Sequence, residues 1–374
     1  MSLSYTADGR AHARRRNAAQ DVRRHRVLSI IASARRRAAL GPAAALLALS
    51  SAARAAPGQD ALRPAGIQAA HILDLWRLTL VVCAAVFAAV LGALLIGMMR
   101  AAQRDKRSAP SQPSAGQEAG PRRAVTVATA VSIVLLIGLV LADVMTDRAL
   151  SSLPVAHALH IEMIGHQWWW ETRYADDDGQ PGFVVANELH VPVGRPVIVS
   201  LRSADVIHTF WVPNLHGKKD MIPGRDATIE FRADKAGDYR GQCAEFCGAE
   251  HALMAFSVVA ESPQQYRAWS RQQRQLAATP TDGAAVRGQQ LFLSNACAQC
   301  HTVRGTPGRG AVGPDLTHVA SRPTLAAGTL ANTQANLFAW INDPQRMKPA
   351  TTMPASKLAP ADLQLLVAYL ETLK

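Results

Sequence analysis

Aromatic side chains are scarce in this 374-residue chain: Phe, Trp and Tyr together make up only 5% of it, although hydrophobic residues as a class reach 49%. The apolar content therefore leans on alanine and valine, a bias that suits membrane helices as well as soluble cores. No segment repeats, which excludes a solenoid or propeller built from copies of one unit. Acidic residues are nearly missing from the first 56 positions, where eleven arginines face only Asp8 and Asp21. Nine of the twelve net positive charges sit there, leaving +3 for the rest. That placement excludes nucleic acid as a partner, because the basicity belongs to a terminal segment and not to a working surface. The cysteines speak for cofactors rather than disulfide staples. Of five cysteines, Cys83 lies in an apolar run and the others form two tight pairs with histidine close by, a pattern for cofactors.

The arginine-rich start reads as a targeting segment, residues 1–56. Arg35, Arg36 and Arg37 precede an apolar run from Ala38 to Leu49, followed by small residues through Ala53, Arg54 and Ala55. A positive region, a short apolar region and an A-x-A site make a secretory signal with cleavage after Ala55 or Ala56; the other reading is a basic arm without structure. Two longer apolar runs follow, 22 residues from Leu78 to Met99 and 19 from Ala124 to Ala142. Each approaches the roughly 20 residues that carry a helix across the hydrocarbon core. They predict a two-helix transmembrane hairpin within residues 67–150, with helices at about 74–99 and 124–143. Arg100, Arg104, Lys106, Arg107, Arg122 and Arg123 crowd the loop between them, against Asp105 and Glu118. The positive-inside bias puts that loop in the cytoplasm and everything after residue 143 outside it; a buried soluble hairpin is the competing reading.

Residues 157–262 read as short strands. Val197, Val199 and Leu201 alternate within Arg195–Ser203, and Thr228–Phe231 and Phe256–Val259 are β-branched or aromatic runs. Gly and Pro clusters punctuate them, as in a sandwich or barrel. Residues 263–281 turn glutamine- and arginine-rich and then reach Ala-Ala-Thr-Pro-Thr-Asp-Gly, a short helix and a linker. Residues 282–374 read as helical, with Ala284–Ser294, Thr333–Asn342 and Pro360–Leu373 as the helices.

The C-terminal cysteine pair is Cys297-Ala-Gln-Cys300-His301, the haem c attachment pattern. Two thiols one helical turn apart can form thioethers with the haem vinyls, and the adjacent histidine reaches the iron. A redox or zinc C-x-x-C is the alternative, but no second such pair exists. The sixth iron ligand is expected to be a thioether, which raises the potential. Met353, 52 residues after His301 and ahead of the last helix, is favoured over Met347, whose neighbours Arg346 and Lys348 prefer water.

The other pair is Cys243-Ala-Glu-Phe-Cys247, followed by His251 and Met254 and preceded by His208. Thiolate, imidazole and thioether together select copper. Two cysteines on the loop can bridge two copper ions, with one histidine for each and the methionine as a weak ligand. A metal-free disulfide or a zinc site is the alternative.

At these residues the chain resembles subunit II of cytochrome c oxidase, in the caa3-type form with a fused C-terminal cytochrome c domain. The likeness runs from about residue 67 to 374. It rests on Gly165-His166-Gln167-Trp168-Trp169-Trp170, Asp205-Val-Ile-His208, Lys219-Asp220-Met-Ile-Pro223-Gly224-Arg225, and Tyr239-Arg-Gly-Gln-Cys243 through Met254. The resemblance implies a multi-domain protein of the bacterial inner membrane: a transmembrane helix pair, a cupredoxin-like β-barrel or sandwich, and an all-α class I cytochrome c domain. It implies a dinuclear copper A centre held by His208, Cys243, Cys247, His251, Met254 and the carbonyl of Glu245, with the Glu245 side chain on a magnesium ion shared with subunit I. It implies haem c on Cys297 and Cys300, with His301 and Met353 on the iron, and electron entry to copper A at Trp168.

The implied function is electron input to a respiratory haem–copper oxygen reductase. Electrons pass from cytochrome c or a membrane donor through haem c and copper A to subunit I, where oxygen is reduced, with subunit III as a further partner. The alternative is the same module in a nitric oxide reductase. Asp205, His166, His190 and His216 are read as structural or surface residues, and His318, after Gly313-Pro-Asp-Leu-Thr, as no ligand. One stretch departs from the family: where many members place a glutamate before a tryptophan at the second helix, this chain has Glu118-Ala-Gly-Pro-Arg-Arg without tryptophan. No proton-channel role is carried over to Glu118.

Overall fold

The structure, a computed structural model, describes residues 58–103, 115–175 and 182–374. The expected signal at 1–56, much of the loop between the apolar runs and the side chain of Glu118 lie outside the described residues.

Two helices, α1 (Ile67–Gln103) and α2 (Ala115–Leu150), pack on each other and are each long and apolar enough to cross a membrane. Val86, Leu94, Val134 and Leu141 stand exposed along them, and Cys83 with them, a surface that suits lipid and not water. Both helices outrun the uncharged stretches. The first turns of α1 are buried, unlike the rest: Ala69 and Leu73 are covered, and the Ala69 amide donates to the Leu215 carbonyl at 3.2 Å. Just ahead, Gly66 bridges Ala233 in antiparallel fashion, so close that a Cβ there would lie 2.4 Å from the Arg232 oxygen. The membrane anchor thus grows directly out of the β-domain.

That domain holds ten strands: β1 (Leu159–His166), β2 (Trp169–Tyr174), β3 (Phe183–Ala186), β4 (Glu188–Pro192), β5 (Val197–Ser203), β6 (His208–Trp211), β7 (Lys218–Met221), β8 (Ala227–Phe231), β9 (Gly237–Cys243) and β10 (Ala255–Glu261). They form two five-stranded sheets, ordered β3-β2-β1-β5-β8 and β4-β10-β9-β6-β7. β1 runs parallel to β5, with Met163 opposite Leu201, and β10 runs parallel to β4; the other pairs are antiparallel. Val197, Val199 and Leu201 are fully buried while their neighbours face outward, as the two-residue repeat of a strand requires. Met163, Trp170, Leu189, Phe210, Phe231 and Phe256 fill one core between the sheets, giving the cupredoxin fold.

A helix α3 (Pro263–Arg274) follows, started by a reciprocal cap in which Ser262 and Gln265 satisfy each other's backbone amides. Its Trp269 stacks on His190 at 3.9 Å and meets the edges of Tyr174 and Phe183, so the helix lies on the β-domain. The last domain comprises α4 (Gly283–Ser294), the single turn α5 (Cys297–Cys300), the two-residue strands β11 (Thr324–Leu325) and β12 (Leu330–Ala331), α6 (Gln334–Asn342), the short α7 (Pro344–Met347) and α8 (Pro360–Leu370). Asp282 and Thr333 cap α4 and α6 by accepting backbone amides. α4 and α8 cross at Gly288, where a Cβ would sit 2.0 Å from the Leu365 oxygen. Phe292, Val303, Leu363, Leu366, Tyr369 and Leu370 form the core of this class I cytochrome c fold.

Candidate metal and haem centres

β6 and β9 run side by side, with Phe210 opposite Cys243, and this places His208 and Cys243 at one end of the sandwich. The chain then turns through Cys247 and a single 3-10 turn, His251–Leu253, before β10. His208, Cys243 and Cys247 are buried with their ligand atoms within 4.8 Å of one another. His208 Nδ1 lies 3.8 Å from Cys243 Sγ, His251 Nδ1 3.7 Å from Cys247 Sγ, and Met254 Sδ 3.8 Å from Cys247 Sγ. The Cys243 thiol also points at the Glu245 carbonyl, 3.2 Å away. Each sulfur therefore has its own imidazole, with a thioether and a carbonyl at the flanks. That donor set fits a pair of copper ions bridged by two thiolates.

Electrostatics prepare the cluster for a cation. The hydrogen bond from Cys247 draws the Cys243 thiol down, while Cys247, left holding the shared proton, is raised. Asp205 orients His208: its Oδ1 lies 2.8 Å from Nε2, leaving Nδ1 for the metal side. Burial opposes ionisation of Asp205, but hydrogen bonds from His208 and from the amides of Val206 and Gln167 outweigh it and hold the carboxyl below its usual range. Gly165 lies under the ring, where a Cβ would come within 2.8 Å of His208 Cδ2.

Trp168 stands beside this cluster. Its indole N–H donates to the Cys247 carbonyl at 3.0 Å, as does the Gln167 side chain at 2.8 Å. The turn that offers this carbonyl passes through Gly248 at φ +118°, where a Cβ would lie 2.9 Å from the Trp168 ring. The main-chain oxygen of Trp168 accepts from Lys348 Nζ at 2.7 Å, a contact from the cytochrome domain. Lys348 is only 2% exposed. The expectation that it seeks water is therefore wrong: its ammonium is held by a carbonyl of the neighbouring domain. Trp170 is fully buried and points its indole at the Met254 carbonyl, and Trp169 stacks on His166.

In the cytochrome domain, Cys297 and Cys300 are free thiols at the ends of α5, and His301 follows at once. His301 Nδ1 lies 2.8 Å from the Pro314 carbonyl, which fixes the tautomer and frees Nε2 for iron. The ring rests on Gly313, whose Cβ would sit 2.6 Å from Cε1. Burial pushes His301 below the usual histidine range, keeping it neutral and able to donate a lone pair. Leu316, Trp340, Met353 and Leu358 are partly covered apolar residues packed on the same core. Thiols, oriented imidazole and apolar wall fit haem c. Met353 lies on the loop between α7 and α8, its carbonyl 3.4 Å from Gln345 Nε2.

His190 is paired with Glu261 at 3.0 Å, and His166 lies 3.3 Å from Glu171. Burial lowers His216 to about 4, and its Nδ1 accepts the Gly217 amide. Both ring nitrogens of His318 face backbone carbonyls, those of Lys374 and Gln275. Sequence reasoning missed the orienting role of Asp205, for which the Asp-x-x-His spacing was the available signal. It also missed Lys348, for which there was none.

Residues 179–262 match the family described as cytochrome c oxidase subunit II, periplasmic domain, and residues 285–374 match cytochrome c. The chain is 34% identical over 321 residues to cytochrome c oxidase subunit 2 of Alkalihalophilus pseudofirmus, covering 84% of this chain and 90% of that one. It is 30% identical over 279 residues to the subunit 2 of Bacillus sp. strain PS3, covering 69% and 76%. A solved periplasmic domain of subunit II from Bradyrhizobium japonicum is 32% identical, with a TM-score of 0.30, covering 32% of this chain and 97% of that one. The chain belongs to the cytochrome c oxidase subunit II family, in the form that carries a fused C-terminal cytochrome c domain, and so to an oxidoreductase complex of the inner membrane.

Proposed function

We propose that this chain takes electrons from an external cytochrome c or a membrane donor at haem c, passes them to dinuclear copper A, and delivers them to subunit I, where oxygen is reduced to water. The observation that carries the reading is the buried cluster of His208, Cys243 and Cys247 with His251 and Met254 at its edge, in one chain with an oriented Cys297-x-x-Cys300-His301. When bound, the two groups supply one-electron storage at two separate points.

The residues do the rest. Cys243 and Cys247 would bridge the copper pair, with His208 and His251 as terminal ligands and Met254 and the Glu245 carbonyl as weak ones. Asp205 and Gly165 hold the His208 ring in place, so that little needs to rearrange when the charge of the site changes. Cys297 and Cys300 would hold haem c by thioethers, with His301 and Met353 on its iron. Trp168, hydrogen bonded to the Cys247 carbonyl, would be the entry point to the copper site. The exposed side chain of Glu245 is assigned to a magnesium ion shared with subunit I on the resemblance alone. Subunit III is a partner on the same ground. The matching division of labour is a signal at 1–56, an anchor at 67–150, a copper domain at 157–262, a linker at 263–281 and a cytochrome domain at 282–374.

The test is purification of the complex with this chain in place, followed by turnover with oxygen and with nitric oxide. Oxygen consumption together with haem that stays on this chain through acid–acetone extraction is the expected result. Haem that extracts fully, or turnover of nitric oxide alone, contradicts the reading.

A further inference from the structure

We propose that Lys348 is a positioning residue: it clamps the Met353 loop of the cytochrome domain onto the copper domain and so sets the contact across which the two redox sites exchange electrons. The inference rests on the relay reading above and names a residue that holds its two halves together.

A lysine at 2% exposure is costly unless its charge is met, because desolvation of an ammonium opposes burial. Here Nζ donates to the Trp168 carbonyl at 2.7 Å. Burial lowers Lys348 to about 8, and the negative charge of Glu250 works against that shift. Glu250 is itself buried in the copper domain, and its Oε2 has no hydrogen-bond partner. The copper domain therefore presents a carbonyl and a negative field where the lysine enters.

The contact links two functional segments. On one side Trp168 donates its indole N–H to the carbonyl of Cys247. On the other, Lys348 follows α7 within a loop that is tied to itself: its carbonyl accepts the Thr351 amide at 3.1 Å. Gln345 donates to the carbonyls of Thr351 and Met353 at 2.6 and 3.4 Å. A hydrogen-bonded path thus runs from Met353 to Cys247 through Lys348 and Trp168. A second touch lies next to Met254, where the Ala255 amide donates to Ala327 in the β11–β12 turn at 3.1 Å. Both contacts fall on residues that flank the copper cluster. The exchange concerned is a single electron: haem c is oxidised by one, the copper pair is reduced by one, and no bond or proton moves.

The experiment uses the full chain in the assembled complex, loaded with haem and copper, and compares Lys348→Met with Lys348→Arg. Hydrogen exchange reads the docking itself at the Ala255 amide and in the 344–353 loop. Flash photoreduction of haem c reads transfer to copper. Losing one charge-assisted buried hydrogen bond raises the opening equilibrium about tenfold. Lys348→Met is expected to speed exchange at both places by about that factor and to slow haem-to-copper transfer, with the haem c potential and the copper spectrum unchanged. Lys348→Arg, which keeps a cationic donor, restores most of both. Unchanged exchange in Lys348→Met, or transfer at the parental rate, overturns the proposal. Should Lys348→Met not assemble, Lys348→Gln, neutral and shorter, takes its place with the same deciding outcomes. If the unmodified chain shows no haem-to-copper transfer, the relay reading fails and takes the clamp with it; normal transfer in the variant alone overturns only the clamp.

Discussion

At the scale of single residues, the chemistry of the sites is written in residue type and spacing. Thiols, imidazoles and thioethers are few in this chain, so Cys243, Cys247, His251 and Met254 within twelve positions stand out, as does Cys297-Ala-Gln-Cys300-His301. What acts on those ligands through space was only partly legible. Asp205, three residues before His208, was within reach of the Asp-x-x-His spacing, whereas Gly165 lies far from His208 in sequence and only the folded sandwich brings it against that ring. Outer partners of this kind typically contribute about 10- to 100-fold to metal affinity. Asp205→Ala, which also strips an acceptor from the Gln167 and Val206 amides, is expected to lower copper affinity by that order. The check is copper retention against a chelator series, with the haem spectrum as an internal control. Met353→His offers a second check at this scale: haem stays attached but its potential falls, because a stronger donor replaces a thioether that favours ferrous iron. Redox titration of Met353→His beside Met347→His tests the ligand choice, and control of the potential by Met347 contradicts it.

At the scale of elements, local rules explain most starts and stops. Ser262, Asp282 and Thr333 cap their helices, and the alternation of β5 matches its buried face. The failures have a common physical cause, since a second element decides the matter. The first turns of α1 are held by Leu215 and Arg232 of the β-domain, so their burial cannot be read from the apolar run that follows. Lys348 reads as a surface lysine until the copper domain meets it. The β11–β12 turn likewise adopts a shape that its sequence does not announce: Ala326 and Ala327 have φ of 52° and 57°, in the left-handed region that glycine favours. Relieving that strain with Ala327→Gly is expected to stabilise the cytochrome domain by roughly 1 kcal/mol, the lower end of the penalty for a residue with a Cβ. The Ala327 carbonyl still accepts the Ala255 amide, so domain docking is retained. Thermal unfolding followed at the haem band checks this, and a loss of stability contradicts the strain argument.

At the scale of the whole molecule, two soluble folds and a helix hairpin are joined so that the two redox sites lie in one chain. The cupredoxin sandwich supplies an end where β6, β9 and the Cys243–Met254 loop converge, and the cytochrome fold sits against that same end through Lys348 and Ala327. Fold class and site composition were legible because strand alternation and cofactor ligands are local patterns. The seating of one domain on the other was not, because it rests on a main-chain carbonyl and a turn.

The central claim is that the copper pair lies on the path between haem c and the oxygen-reducing subunit, and Cys247→Ser tests it most directly. A neutral hydroxyl is a poor substitute for a soft bridging thiolate, so the paired copper site should be lost or become mononuclear. The cytochrome domain has its own core and should remain folded. Stopped-flow reduction at the haem band is recorded beside steady-state oxygen uptake, on complexes checked for subunit content. The account predicts that an external donor reduces haem c at a near-normal rate while oxygen uptake falls severely. Normal respiration by a Cys247→Ser complex that has lost its copper pair would contradict it.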